Sequence, residues 1–399
     1  MADFTPVLRM IVTSDIHIQK DDYQIERYRK GMKFAYEYAK SQPYNIIDAF
    51  FAVGDFANSG SEWEMLTFRD LMDECLSPET ERTLMLASHE FKTDGQQGAY
   101  DRLHTIYNME PDTHKIFKGF HCISVSTEDG CRFREGKQNW LREELKKAAA
   151  DDPKKPIFVF QHPHITDTVA GSINWGEDDL TAIMMDYPQI IDFSGHSHAP
   201  VNDPRSIHQR HFTCLGTGSF SYFELDEFDK IYGTVPPDCD EQAQFLIVEV
   251  NAEGAVLVKA MDVLTGNFFP CDRLIETPWE PTSFVYTDDR YKTTVKPYFA
   301  DAAKVEYEKT EDGLCIRFTQ AKIDEDMVDD YIIRLRNKKD GTVEKQAAVW
   351  SHYYLYTMPE TCSVTFKDVQ AGEYVAEIFA QGFWKNRSEK PLTAEITVD

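Results

Sequence analysis

Five short apolar runs in this chain each end on residues able to grip a cation. Val7–Thr13 runs into Asp15-Ile16-His17, and Ile46–Val53 into Gly54-Asp55. Thr83–Ala87 leads to Ser88-His89-Glu90, Pro156–Phe160 to His162-Pro163-His164, and Ile190–Phe193 to Gly195-His196-Ser197-His198. A lone buried histidine is more often a satisfied structural group than a ligand, and Asp-x-His or His-x-His alone decides little. All five in succession, each after an apolar run, point to metal. Imidazole mixed with carboxylate suits zinc, iron or manganese, whereas calcium and magnesium sites are built from oxygen donors. His164 competes with His162 for one ligand position, and His162 is preferred because it lies nearer the strand end. His104, His114, His121, His208 and His211 have no motif company and read as satisfied or solvated.

The elements that must position these residues follow from hydrophobic periodicity. The apolar runs read as buried strands. Between them, Asp21–Ser41, Glu62–Leu76 and Gln138–Ala150 carry apolar residues at helical spacing, and a further helix is expected near Asp178–Asp186. Strands alternating with helices imply βαβ units and a largely parallel sheet covered on both faces. In such folds ligands gather at the carboxyl ends of the strands, where all five blocks fall. After His211 the pattern turns to strands alone, at Phe212–Leu215, Phe245–Val250 and Ala255–Met261.

As a set, the blocks resemble the motifs of the calcineurin-like metallophosphoesterase superfamily: DxH, GD, GNH(D/E), a lone His followed by Pro, and GHxH. The resemblance spans about residues 7–270. It implies a four-layer α/β/β/α sandwich holding a dinuclear metal site of two divalent or trivalent transition metals, Mn, Fe or Zn. Position by position, it implies Asp15, His17 and His198 on the first metal, Asp55 bridging both, and His162, His196 and Ser88 on the second. It makes His89 the general acid that protonates the leaving oxygen. Two cations about 3.5–4 Å apart clamp phosphoryl oxygens and turn a bridging water into hydroxide, and an alkoxide leaving group needs a proton from a nearby imidazole. Ser88 and Ala87 stand where the family motif has Asn and Gly. A hydroxyl is a shorter and weaker donor than a carboxamide, so occupancy of the second position is expected to suffer.

Composition narrows the remaining classes. The chain has 399 residues, enough for two or three domains at roughly 150 residues each, and 42% hydrophobic residues with 28% charged is a globular composition. Forty-two basic against 68 acidic side chains give a net charge of −26, which repels phosphate backbones and anionic lipid. The expected partner is a small-molecule phosphoester, not a nucleic-acid polymer, and no membrane span is expected; oligomeric state is left open. Eight cysteines without a CxxC pair read as scattered thiols, and with no leader visible a cytoplasmic location is expected. The expected domains are 1–280, the catalytic unit, and 281–399, a small all-β sandwich. Short alternating strands at Lys304–Tyr307, Leu314–Thr319, Asp330–Arg336, Thr361–Phe366 and Gly372–Ala380 make the latter resemble a fibronectin type III module. The acidic run Asp324–Asp330 reads as a solvated loop. The expected function is phosphoester hydrolysis, with phosphodiesters or nucleotides favoured; the alternative is a weakened member serving as a binding or scaffold module.

Overall fold

The computed structural model describes residues 4–20, 23–324 and 326–399. Asp21, Asp22 and Glu325, which fall in the expected first helix and the acidic run, lie outside the described residues. The chain divides into two compact units, Met1–Asp226 with Asp238–Asp288, and Glu227–Pro237 with Asp289–Asp399.

The first unit begins with β1 (Pro6–Thr13), α1 (Gln24–Ser41), β2 (Ala49–Val53), α2 (Glu62–Cys75), β3 (Glu81–Met85) and α3 (Gly95–Tyr107). It continues through β4 (Asp112–Phe117), β5 (Phe120–Val125), α4 (Glu135–Asp151), β6 (Ile157–Gln161), β7 (His164–Ile165), α5 (Ser172–Trp175), β8 (Gly176–Glu177), α6 (Thr181–Met184) and β9 (Ile190–Ser194). It ends with β10 (Ile207–Gln209), β11 (Thr213–Gly216), β12 (Gln244–Asn251), β13 (Val256–Asp262) and β14 (Arg273–Ile275). One six-stranded sheet runs β14-β13-β12-β1-β2-β3 and the other β10-β11-β9-β6-β5-β4.

Alternation along the strands makes four layers. In β1, Leu8, Met10 and Val12 face a core shared with the other sheet, while Ile11 faces the helices. Phe51 and Val53 of β2 point inward and Phe50 and Ala52 point to α1 and α2. Phe158, Phe160, Ile191 and Phe193 meet them from the second sheet, and the Phe51 and Phe160 rings stack 3.9 Å apart. Each such ring contributes about 1.5–3 kcal/mol by leaving water. Ile157, Val159 and Ile190 face the opposite way, onto Leu141 and Leu145 of α4 and Met184 of α6. Both sheets are therefore buried on both faces, as near-continuous apolar strands require. β1, β2 and β3 pair in parallel, as do β5, β6 and β9, so their carboxyl ends cluster.

The second unit is all β: β15 (Val305–Thr310), β16 (Gly313–Thr319), β17 (Val328–Asn337), β18 (Val343–Trp350), β19 (Thr361–Phe366), β20 (Gly372–Gly382) and β21 (Leu392–Val398). The strands form antiparallel sheets β15-β16-β19 and β18-β17-β20-β21 around Ile316, Phe318, Ile333, Leu335, Ala376 and Ile378. The acidic run departs from the expected solvated loop. Val328–Asp330 opens β17, and Asp329 and Asp330 are buried. Lys230 reaches Asp330 at 2.9 Å and Glu227 at 2.6 Å, while Lys385 reaches Asp329 at 3.1 Å. Burying carboxylates is costly unless cations are delivered to them.

Candidate metal centre

Asp15 and His17 leave β1, Asp55 leaves β2, and Ser88 and His89 leave β3 of the first sheet. His162 leaves β6 and His196 and His198 leave β9 of the second. The loops are laced together. Asp15 N–H donates to Gly54 O at 3.2 Å and His17 N–H to Asp55 O at 3.0 Å, while Gly195 N–H donates to His162 O at 2.9 Å. Asp15, His17, Asp55, His196 and His198 all sit at positive φ, between 51° and 72°. Each such residue costs on the order of 1–3 kcal/mol and persists only where its surroundings hold it. Glu90 supplies part of that hold, accepting the N–H groups of Ala57 and Ala87 at 2.9 Å and of Asp55 at 3.1 Å. Gly195 must lack a side chain, because a Cβ there would lie 2.5 Å from Asp15 Oδ2.

All the sequence-predicted residues converge. Asp15, His17 and His198 offer ligand atoms within 4.8 Å of one another, and so do Asp55, His162 and His196. His162 Nε2 lies 3.1 Å from Asp55 Oδ2 and 3.9 Å from Asp15 Oδ1, so the two groups adjoin. His89 also approaches Asp55, its Nε2 being 4.0 Å from Oδ2. Ser88 donates from its hydroxyl to Asp55 Oδ2 at 3.4 Å.

Second partners fix the imidazole tautomers. His162 Nδ1–H donates to Val53 O at 2.7 Å and His198 Nδ1–H to Tyr222 O at 2.9 Å, which aims each Nε2 into the cleft. His164 behaves differently: Ser194 and Ser197 hydroxyls occupy both its nitrogens at 2.7 Å. His162 Nε2, by contrast, faces Asp55 at 3.1 Å.

The electrostatics suit cations. Burial pushes the imidazolium forms of His17 and His196 down to about 3 and about 4, with the neighbouring histidines adding to it, so both rings are neutral donors. Burial opposes ionisation of Asp15 and Asp55, but His198 and His162 outweigh it and hold both carboxyls well below the usual carboxylate range. Burial likewise opposes the charged form of His162, yet Asp55 and Asp15 raise it to about 10. Apart from their ion-pair contacts with His198 and Asp55 inside the cluster, buried Asp15 Oδ1 and His162 Nε2 make no hydrogen bond among the described residues. A cation bound here would displace the His162 proton and take up both atoms.

Several neighbours carried no sequence signal. The Tyr222 ring packs 4.3 Å from His198, Trp175 meets His196 edge-on at 5.4 Å, and Cys131 Sγ lies 3.3 Å from His196 Nε2. Lys92 Nζ reaches His89 Nε2 at 2.7 Å. Lone aromatic, thiol and amine residues have no spacing to betray them.

Residues 8–200 match the sequence model of the calcineurin-like phosphoesterase family. Comparison with curated proteins finds no match. Among solved structures, a purple acid phosphatase from seeds of yellow lupin (Lupinus luteus) is similar at 12% identity and a TM-score of 0.49, over 67% of this chain and 53% of that one. The match thus spans about half the length of the lupin protein. A phosphatase of Mycoplasma pneumoniae is similar at 12% identity over 71% of this chain and 98% of that one, with a TM-score of 0.33. The PKD1 domain of a Vibrio anguillarum protein is similar at 14% identity over 25% of this chain and 100% of that one, with a TM-score of 0.14. No helix among the described residues is long and apolar enough to cross a membrane. The converging strand-end blocks all fall inside the span that matches the model of the calcineurin-like phosphoesterase family, and they form candidate metal-ligand clusters there.

Proposed function

We propose that the chain hydrolyses phosphoesters at a two-cation centre. The carrying observation is the pair of adjoining donor groups, Asp15–His17–His198 and Asp55–His162–His196, each of a size for one ion. Asp55 groups with His17 and His89 as well as with His162 and His196 and would be shared by the two ions, and Ser88 stands beside it. Bound Mn, Fe or Zn ions would polarise the phosphoryl oxygens and supply activated water. The protein's own residues do the rest. Val53 O and Tyr222 O fix the rings of His162 and His198. His89 is partly exposed at the mouth, where its ring can pass a proton to the departing oxygen. Asn58 O accepts from His89 Nδ1 at 2.8 Å and sets the tautomer and orientation of that ring.

Phosphodiesters or nucleotides are the favoured substrates. Trp175 and Tyr222 flank the cleft beside His196 and His198 and offer flat surfaces to a base or aryl group. The net charge of −26 favours a small substrate over a nucleic-acid polymer. The three-plus-four antiparallel strand order supports a fibronectin type III-like reading of the second unit. The test is metal content by mass spectrometry together with turnover of bis-p-nitrophenyl phosphate and p-nitrophenyl phosphate after adding Mn²⁺. Between one and two ions per chain with Mn²⁺-stimulated turnover supports the reading. A metal-free protein inert in every divalent ion contradicts it.

A further inference from the structure

One buried histidine of the strand-end blocks has no part in the donor groups. His164 opens β7, is 2% exposed, and engages a hydroxyl at each ring nitrogen: Ser194 Oγ at Nδ1 and Ser197 Oγ at Nε2, both at 2.7 Å. A neutral imidazole donates at one nitrogen and accepts at the other, and a hydroxyl can do either, so the two bonds form together. The ring thereby ties the block after β6 to the block after β9. Ser194 is the last residue of β9. Ser197 stands between His196 and His198, and so between a member of one donor group and a member of the other.

Ser197 is the point at which that block is pinned. Its N–H donates to Gly195 O at 2.9 Å, and its hydroxyl accepts Ala199 N–H at 3.3 Å and lies 3.4 Å from Ala170 O. Gly171, at φ +86°, packs so close that an added Cβ would stand 2.3 Å from the Ser197 Cβ. Among the described residues, the His164 ring is the one side chain that hydrogen-bonds to Ser197. His196 and His198 need the support. They sit at φ 72° and 55°, a backbone that persists only where its surroundings over-determine it.

Resting on the two-cation reading, we infer that His164 is a positioning residue for both cations. Through Ser197 it sets the backbone of His196 and His198 and so holds one ligand of each ion in place, touching neither ion. The bond to Ser194 orients the ring, and the bond to Ser197 carries the effect. Loosening this one ring weakens both positions, whereas the tie from Val53 O to His162 serves one.

The experiment is Mn²⁺ titration of the full-length chain by calorimetry, with unfolding midpoints measured alongside. His164→Gln places an amide where Nε2 stood, in reach of Ser197, and His164→Asn places one where Nδ1 stood, in reach of Ser194. His164→Asn is expected to bind both ions about 10–100-fold more weakly, the usual loss with a ligand's outer partner, and His164→Gln to lose less than about tenfold. Ser197→Ala serves as the second variant should the glutamine variant fail to fold. It is expected to weaken both ions as His164→Asn does, and the double variant to be no weaker than either single one, as for two ends of one interaction. Isotherms of His164→Asn and Ser197→Ala that match the wild type, weakening confined to one ion, or a lowered unfolding midpoint with unchanged isotherms would overturn the inference while leaving the two-cation reading intact. Failure of the wild type to bind any ion would overturn both.

Discussion

Gly54 touches no ion, yet substituting it should disable one cation position. It sits at φ +81°, and an added Cβ would lie 2.5 Å from His162 Nδ1, 2.7 Å from its Cγ and 2.9 Å from the Ala87 Cβ. A side chain in left-handed backbone costs about 1–2 kcal/mol. The ring of His162 must also give way, and with it the 2.7 Å bond from Nδ1 to Val53 O, worth about 0.5–1.5 kcal/mol. Gly54→Ala should therefore cost about 1.5–3.5 kcal/mol of stability in denaturant unfolding. More tellingly, it should weaken the cation held by His162 by about 10–100-fold, the usual effect of removing a ligand's orienting partner. Gly95→Ala is the control: it too has positive φ, +78°, but its Cβ would meet no described atom within 4 Å. It should carry only the backbone cost of about 1–2 kcal/mol and leave metal binding alone. Metal isotherms of the two variants decide. If Gly54→Ala binds both ions as the wild type does, His162 is not the ligand it is taken for.

Removing the His89 side chain (His89→Ala) should lower kcat by about 10²–10⁴-fold, the range for a general acid, with metal content by mass spectrometry unchanged; joint loss of metal and turnover would make His89 a ligand. Asp192 is wholly buried in β9, and burial pushes its carboxyl up to about 8, against a weak pull from the Gln161 amide at 3.3 Å. The fold thus holds the proton that the unfolded chain releases near pH 4, so wild-type stability should fall as pH rises from about 4 to about 8 and level off above. Asp192→Asn should lack that slope; parallel melting curves for the two proteins would remove the premise that Asp192 is protonated in the native state.

The legible part of this molecule was the part where burial and spacing coincide. β1, β2, β3, β6 and β9 are short runs buried along all or most of their length, and each ends in a polar block, so both the elements and the convergence of Asp15, Asp55, His162, His196 and His198 could be read from residue order. α3 escaped notice because Gly95 and Gly98 weaken its helical pattern and only Ala99 and Leu103 are buried. β4 lies at a sheet edge with no buried residue, and its alternation is correspondingly faint. The acidic run at the start of β17 misled because its counter-charges, Lys230 and Lys385, come from distant points of the chain. Cys131 is the same lesson at the site. A hairpin of ordinary polar residues brings it to His196, and nothing in its neighbours announces that.

Anomalous diffraction from crystals grown with manganese or zinc tests the central claim most directly. Two peaks are expected about 3.5–4 Å apart, one among Asp15, His17 and His198 and one among His162 and His196, with Asp55 between them. No peak there, or a single ion bound elsewhere on the chain, would contradict the two-cation account.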